Sequence, residues 1–145
     1  MIREYKQEDL VGLLHLGKRF WGLTPYSQLG MEYNPEAVAE VITEIADKHY
    51  LRIYEVDGEI QGVLGMYIMP LPLNPNYVVA TEAFFYIEPT HRGKAGRTLL
   101  LQAEADVAKI VDMIVFGDMT TSKDMKSYYE GHGYQHAETT YIKVV

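Results

Sequence analysis

The sequence of 145 residues contains no cysteine. The chain therefore forms neither a disulfide nor a thiolate metal site, and a covalent intermediate on cysteine is excluded. It also lacks a run of about 18 uninterrupted apolar residues, the length that a membrane helix needs, so we expect no membrane partner. The N-terminal segment Met1–Lys6 has no apolar stretch of signal-peptide type, which favours a cytoplasmic protein.

Positive charge is scarce, with 13 Lys and Arg against 20 Asp and Glu, which gives a net charge of −7. This is the wrong sign for a protein that binds nucleic acid by neutralising phosphates, so nucleic acid is not expected as a partner. The acidity suits a cationic acceptor, but it equally suits a small protein that simply stays soluble. His15, His49, His132 and His136 have no spacing that suggests a metal site, and we predict no metal.

What the sequence does contain is typical of one globular domain spanning residues 1–145, with 48% apolar and 23% charged residues. Apolar periodicity and turn residues predict the order of its elements. The first half is predicted to contain a strand at Met1–Lys6, a helix from Leu10, a partly irregular loop at Phe20–Tyr33 and a helix that begins at Asn34-Pro35-Glu36. Two strands follow at Tyr50–Val56 and Glu59–Met69, joined by Asp57-Gly58, and then a proline loop at 70–75. The second half is predicted to contain a strand at Tyr77–Glu88, a helix at Ala95–Val111, a strand at Met113–Phe116, a helix at Ser122–Glu130 and a final strand region at Tyr134–Val145. This order predicts an α/β or α+β sheet with helices on both faces.

A basic, glycine-containing turn between a predicted strand and a predicted helix is the first candidate for chemistry. The backbone N–H groups at a helix start are unpaired and the helix dipole is positive there, so a pyrophosphate can bind, with Arg92, Lys94 and Arg97 adding charge. Many such turns contain Gly and Arg for steric or solubility reasons alone. The turn also lacks the spacing of the ATP phosphate loop and of the dinucleotide fingerprint.

Two segments carry a resemblance to a known family. Ile87-Glu88-Pro89 followed by His91-Arg92-Gly93-Lys94 resembles the cofactor turn of the GNAT superfamily of acyl-CoA-dependent N-acyltransferases, which reads Arg/Gln-x-x-Gly-x-Gly/Ala. The segment from Ser122 to Tyr134 resembles that superfamily's Asn-x-x-Ala-x-x-Phe-Tyr-Glu-Lys-x-Gly-Phe. The first match departs at its end, because Ala95 takes the first small position and Arg97 stands where the family has Gly or Ala. A shift of one residue makes Gly96 the second small residue.

The resemblance implies a mixed, mostly antiparallel central sheet of six to seven strands flanked by helices, and acetyl-CoA as co-substrate. It also implies a set of cofactor-binding positions. The backbone of the strand and the basic turn would contact the pantetheine arm and the pyrophosphate, and Ser122 falls on the asparagine near the pantetheine. The set is Phe85, Tyr86, Ile87, Arg92, Gly93, Lys94, Ala95, Gly96, Arg97 and Ser122.

The same resemblance indicates two catalytic candidates. Tyr129 falls on the tyrosine that protonates the departing thiolate in many relatives, a role that a phenol suits; its alternative is a packed core aromatic. Glu82 is the candidate base, because an amine must lose a proton to attack a thioester and a buried acid has a raised pKa. Its alternative is a solvated charge or the partner of a nearby arginine. His91 beside Arg92 is a weaker candidate base.

These positions predict an enzyme that transfers an acetyl group directly from acetyl-CoA to a primary amine, on a small molecule or a protein. Acceptor recognition is expected from the loops Phe20–Tyr33 and Pro70–Tyr77. The alternative is a non-catalytic binding or structural module of the same fold that binds CoA, and a nucleotide-phosphate enzyme ranks last. Some relatives dimerise through C-terminal strands, so a homodimer is one expected assembly. The first 75 residues are also loosely similar to acetyltransferase-like proteins of tailed phages.

Overall fold

The computed structural model describes residues 1–119 and 125–145. Its helices and strands are β1 Ile2–Arg3, α1 Leu10–Gly22, α2 Pro25–Gln28, α3 Pro35–Lys48, β2 Tyr50–Val56, β3 Glu59–Leu71, β4 Asn74–Ile87, α4 Lys94–Val107, β5 Met113–Val115 and α5 Lys126–Gly131. Single 3-10 turns precede α1 and α4. No helix in these two described ranges is long and apolar enough to cross a bilayer.

The strands form one sheet in the order β1-β2-β3-β4-β5, antiparallel throughout except that β5 runs parallel to β4. Each face of the sheet buries its own apolar core. Leu16 of α1 and Ile45 of α3 pack on one face. Leu99 and Val107 of α4 pack on the other, against Leu64 of β3. The predicted mixed, mostly antiparallel sheet between helices is therefore confirmed.

Local sequence signals account for the elements that the sequence predicted best. The Asn34 side chain accepts a hydrogen bond of 3.0 Å from the Ala37 N–H, and Pro35 occupies the first position of α3. Asp57 and Gly58 both have positive φ angles, 51° and 79°, as the tight turn between β2 and β3 requires.

One extra residue in β4 decides which way its side chains face. Gly65 pairs with Phe84 and the next residue, Met66, pairs with Glu82, so Ala83 forms a β-bulge. Paired side chains lie on the same face of a sheet, and Met66 belongs to the core under α4. Glu82 therefore points to the α4 side of the sheet, near the end of β5.

Two predicted loops are more regular than the sequence suggested. Within Phe20–Tyr33, α1 continues to Gly22 and α2 begins at Pro25, because Thr24 caps it by accepting from the Ser27 N–H at 3.4 Å. The proline loop shrinks to a turn between Leu71 and Asn74. Pro70 fits within β3 because pairing between β2 and β3 stops at Met66, so that part of β3 lies beyond the β2 ladder.

The predicted strand region at Tyr134–Val145 is wrong. Among the described residues no strand follows β5, so the sheet has five strands rather than six to seven. The Tyr134 hydroxyl donates to Glu104 at 2.7 Å, but residues 135–145 are all exposed, with Tyr141 at 90%. Strand-forming composition describes a residue that fits a half-buried pleated surface, and these side chains pack against no such surface.

Gly62 allows β3 to approach the end of β4. A Cβ atom at Gly62 would meet the Ile87 side chain and lie 3.1 Å from the Tyr86 carbonyl oxygen. We therefore expect Gly62→Ala to lower the free energy of unfolding by about 1–3 kcal/mol, as overpacking does. Gly131→Ala is the matched control, because a Cβ there would meet nothing within 4 Å. Urea denaturation of both variants checks this, and equal midpoints would contradict the close approach.

Candidate active site

Strands β4 and β5 are paired over three residues and then part. The register runs from Val79 opposite Met113 to Thr81 opposite Val115, and the pairing ends there. The rest of β4, from Glu82 to Ile87, leaves a gap on the side of β5. Backbone N–H and C=O groups along such a gap are ready partners for an extended, amide-containing ligand.

The basic turn after β4 leads into the N-terminus of α4. Gly93 is the residue before the helix and has a φ of 89°, which favours glycine. The first N–H groups of α4 have no partner within the helix, so they are available to an anion. A Cβ atom at Gly96 would make ordinary contacts of 3.8 Å with Phe85 and Ile87, so chain packing does not require a glycine there.

The two arginines of this turn have different surroundings. Arg92 donates from Nε to the Ile87 carbonyl oxygen at 3.0 Å, and its guanidinium lies 5.6 Å from the centre of the Tyr86 ring. It therefore holds the turn against β4 as well as adding charge. Arg97 lies one turn into α4, and its side chain is exposed at the cavity described below.

Glu82 and Tyr129 meet at Gly117, two residues after β5. The Gly117 N–H donates to Glu82 Oε2 at 3.3 Å, and the Tyr129 hydroxyl donates to the Gly117 carbonyl oxygen at 3.4 Å. Tyr129 is 9% exposed and stacks on Phe116 at a ring separation of 5.6 Å. The strand carrying the acid and the helix carrying the phenol are thus joined through one residue at the point where the sheet opens.

The surroundings shift both groups toward their protonated forms. Burial raises the pKa of Glu82 to about 7; the hydrogen bond from Gly117 opposes this shift, and the charge of Asp118 adds to it. Burial is also the main cause that raises the pKa of Tyr129, and the negative charges of Glu82 and Asp118 raise it further. Near neutral pH the carboxyl group can therefore accept a proton or give one up, whereas the phenol keeps its proton and can donate it.

These residues line one cavity of about 560 Å³. The charged side chains that line it in the described ranges are Arg92, Arg97, Glu82 and Asp118. Apolar side chains form much of the rest of the wall, including Phe20 of α1, Leu23 directly after it, Phe85 of β4, Leu100 of α4 and Met125 directly before α5. A shallow groove of about 730 Å³ also lies along α3 but contains none of the candidate residues.

The fold is shared with proteins named as acetyltransferases. The structure of ribosomal-protein-alanine N-acetyltransferase from Brucella melitensis biovar Abortus 2308 matches with a TM-score of 0.74 at 18% identity, covering 100% of this chain and 99% of that one. A predicted acetyltransferase with acetyl-CoA from Clostridium acetobutylicum matches with a TM-score of 0.71 at 17% identity, covering 100% and 95%. The fold is also that of a GNAT family acetyltransferase from Staphylococcus aureus, so this chain has the GNAT fold.

The GNAT fold also occurs in proteins described by other functions. A transcriptional regulator from Bacillus halodurans C-125 matches with a TM-score of 0.77 at 19% identity, covering 100% of this chain and 99% of that one. No protein-family profile matches the sequence, and no curated protein matches it significantly. Similarity at these identities concerns the fold, so the activity has to be argued from the site.

Within the GNAT fold, most of the predicted site residues come together. Those that line the cavity are Glu82, Phe85, Tyr86, Ile87, Arg92, Gly93, Gly96, Arg97 and Tyr129. Lys94 is exposed and Ala95 is buried, and neither lines the cavity. Ser122 lies outside the described residues. The loop Pro70–Tyr77 lies at the opposite end of β4 and contributes nothing to the cavity wall, whereas Phe20 and Leu23 of the other predicted loop do.

The sequence did not indicate Gly117 or Asp118. Gly117 directly follows the predicted strand Met113–Phe116, which is the one local signal that could have identified it. Asp118 accepts from the Met125 N–H at 3.4 Å and contributes to the raised pKa of Glu82. Both positions are recognisable as part of the site because residues 35 apart along the chain meet there.

Proposed function

We propose that this protein is an N-acetyltransferase that transfers the acetyl group of acetyl-CoA to a primary amine by direct attack. The observation that carries the proposal is the meeting of Glu82 and Tyr129 at Gly117, beside the gap between β4 and β5. The acid, the phenol and the basic turn all face one cavity. The likeness in fold to named acetyltransferases supports the proposal.

The gap and the turn suit the shape of acyl-CoA. The N–H groups at the start of α4, with Arg97 beside them, would hold the pyrophosphate. Gly93 has the positive φ that lets the backbone turn there, and Gly96 keeps that surface low. The parted section of β4 would bind the amide groups of the pantetheine arm. In this binding mode the thioester would lie near Gly117, just beyond the point where the pairing of β4 and β5 ends.

The chemistry is the attack of a neutral amine on the thioester carbonyl carbon. The amine nitrogen forms a bond to that carbon while a proton leaves the nitrogen for the Glu82 carboxylate, directly or through water. The carbon–sulfur bond then breaks, and Tyr129 donates its phenolic proton to the leaving thiolate. No covalent enzyme intermediate is required. Because the pKa of Glu82 is raised to about 7, this carboxylate is a stronger base than an exposed one.

The first test is the change in melting temperature with acetyl-CoA, CoA and ATP, each added separately. A ligand at about 100 times its dissociation constant stabilises the folded state by roughly 2.7 kcal/mol. We expect stabilisation by the two CoA species and not by ATP, followed by acetylation of an amine in a panel assay. CoA binding without any turnover would favour a non-catalytic module of the same fold, and stabilisation by ATP alone would contradict both.

Arg97 should supply most of the charge that binds the pyrophosphate, because Arg92 is already bonded to the Ile87 carbonyl oxygen. We expect Arg97→Gln to raise the dissociation constant for CoA about tenfold, since a hydrogen bond to a charged group contributes roughly 1.5–3 kcal/mol. Lys94→Gln is the matched control, with the same loss of charge on the same helix but outside the cavity. Calorimetry measures both, and an equal effect of the two would show a general loss of positive charge instead of a specific contact.

A further inference from the structure

The wall of the cavity on the α1 side continues into an exposed apolar surface. We define the α1–α2 surface as Leu23, Tyr26, Leu29 and Met31, which are 39%, 42%, 44% and 44% exposed. The segment from Phe20 to Tyr33 that contains them has one charged residue, Glu32, among its fourteen. An exposed group of large apolar side chains beside a cavity indicates a binding surface.

Contacts within the segment hold this surface in place. The Trp21 indole N–H donates to the Met31 carbonyl oxygen at 3.2 Å, and its ring stacks on Tyr26 with centres 5.8 Å apart. The Tyr33 hydroxyl donates to the Leu14 carbonyl oxygen at 2.8 Å, which ties the end of the segment to α1. The surface is therefore built into the fold, and Leu23 joins it to the cavity, whose wall it shares with Phe20.

The charges in the cavity limit what the acceptor can carry. Its carboxylates in the described ranges are Glu82 and Asp118, whose charges act on each other, and its cations in those ranges are Arg92 and Arg97. One ammonium group is well matched to this pair of carboxylates. With the pyrophosphate of CoA held at Arg97, a second or third ammonium group on the same molecule would meet the apolar side chains of the α1–α2 surface. It would lose hydration there without gaining a charged partner among the residues that define that surface.

From this arrangement, and resting on the proposed acetyl transfer, we infer that the acceptor is an amine with one ammonium group on an apolar carbon skeleton. The amine lies beside Glu82, and the skeleton packs against Phe20 and Leu23. Polyamines and aminoglycosides are poor acceptors because their further charges and hydroxyl groups would be placed on apolar side chains. A lysine side chain flanked by polar residues is disfavoured for the same reason.

Two amines of opposite character test this inference with the intact chain. Binding of phenethylamine and of spermidine is measured by calorimetry on protein saturated with CoA, and acetylation of each is measured separately with acetyl-CoA. We expect phenethylamine to bind at least about tenfold more tightly, the discrimination typical of one apolar contact in a pocket. Leu23→Glu should remove most of that preference. Leu73→Glu is the matched control, because Leu73 is 97% exposed in the turn between β3 and β4.

The two readouts separate the inference from the function on which it rests. The apolar acceptor is overturned, even if acetylation occurs, by either of two results. One is tighter binding of spermidine than of phenethylamine. The other is equal affinity of the Leu23→Glu variant and the Leu73→Glu control for phenethylamine. Preferred binding of phenethylamine, with no amine of the panel acetylated, overturns the transfer reaction and supports the apolar site. Unchanged melting temperatures of both variants exclude misfolding as the cause of a loss.

Discussion

Glu82→Gln should lower kcat/KM for the amine about a hundredfold or more at pH 7 to 8, the usual contribution of a general base. The amide keeps an oxygen that can accept from the Gly117 N–H but cannot take the proton from the amine. In the parent protein kcat/KM should rise as the pH passes through about 7, because Glu82 must lose its own proton first. The variant should lack that rise, and the measurement is a pH–rate profile of both proteins.

A second consequence of the same substitution concerns stability. The pKa of Glu82 is raised from 4.5 to about 7 on folding, so its ionisation in the folded state becomes unfavourable. The free energy of unfolding should therefore fall as the pH rises from about 4.5 through about 7, by up to about 3 kcal/mol for this one group. Glu82→Gln should lose this part of the pH dependence. An unchanged dependence of both rate and stability would mean that Glu82 is a solvated charge.

Tyr129→Phe should lower kcat about a hundredfold and leave the dissociation constant for CoA nearly unchanged. The ring keeps its stacking on Phe116, so the core stays filled, and only the hydroxyl group is removed. The loss should appear in kcat because the phenol acts when the carbon–sulfur bond breaks. Steady-state kinetics with calorimetric binding of CoA separates the two effects.

Tyr134→Phe is the matched control for Tyr129→Phe. Tyr134 contacts the Tyr129 ring at a centre separation of 5.5 Å, and its hydroxyl group donates to Glu104, outside the cavity wall. Removal of the Tyr134 hydroxyl group should lower the free energy of unfolding and leave kcat close to that of the parent protein. Equal losses of kcat in the two variants would indicate that Tyr129 is a packed core aromatic and not the proton donor.

Much of the fold could be predicted because the signals are local. Asn34 and Pro35 start α3, and the Asp57-Gly58 pair sets the hairpin, each through the conformation of a few adjacent residues. The tail at Tyr134–Val145 shows the limit of such reasoning. Its residues favour strands, but a strand forms only where a neighbouring strand supplies hydrogen bonds, and composition does not reveal that neighbour.

In the candidate site, too, features that depend on adjacent residues could be predicted and features that depend on distant ones could not. The basic turn could be found from sequence because a strand, glycines and arginines lie together within a few residues. The contact of Glu82 and Tyr129 with the same residue, Gly117, could not be found from the sequence, because it depends on where β5 ends relative to β4. The bulge at Ala83 was also unpredicted, since no glycine or proline lies next to it in β4 and Pro75 is at the far end of the strand.

That bulge makes the placement of the acid depend on chain length as well as on residue identity. If Ala83 were paired with Met66 in a regular ladder, Glu82 would pair with Tyr67 and its side chain would exchange faces. That change would turn Glu82 to the face covered by α1 and α3, away from Gly117. The unpaired residue therefore sets the direction of the acid through the register of β4, and the side chain at position 83 has no part in it.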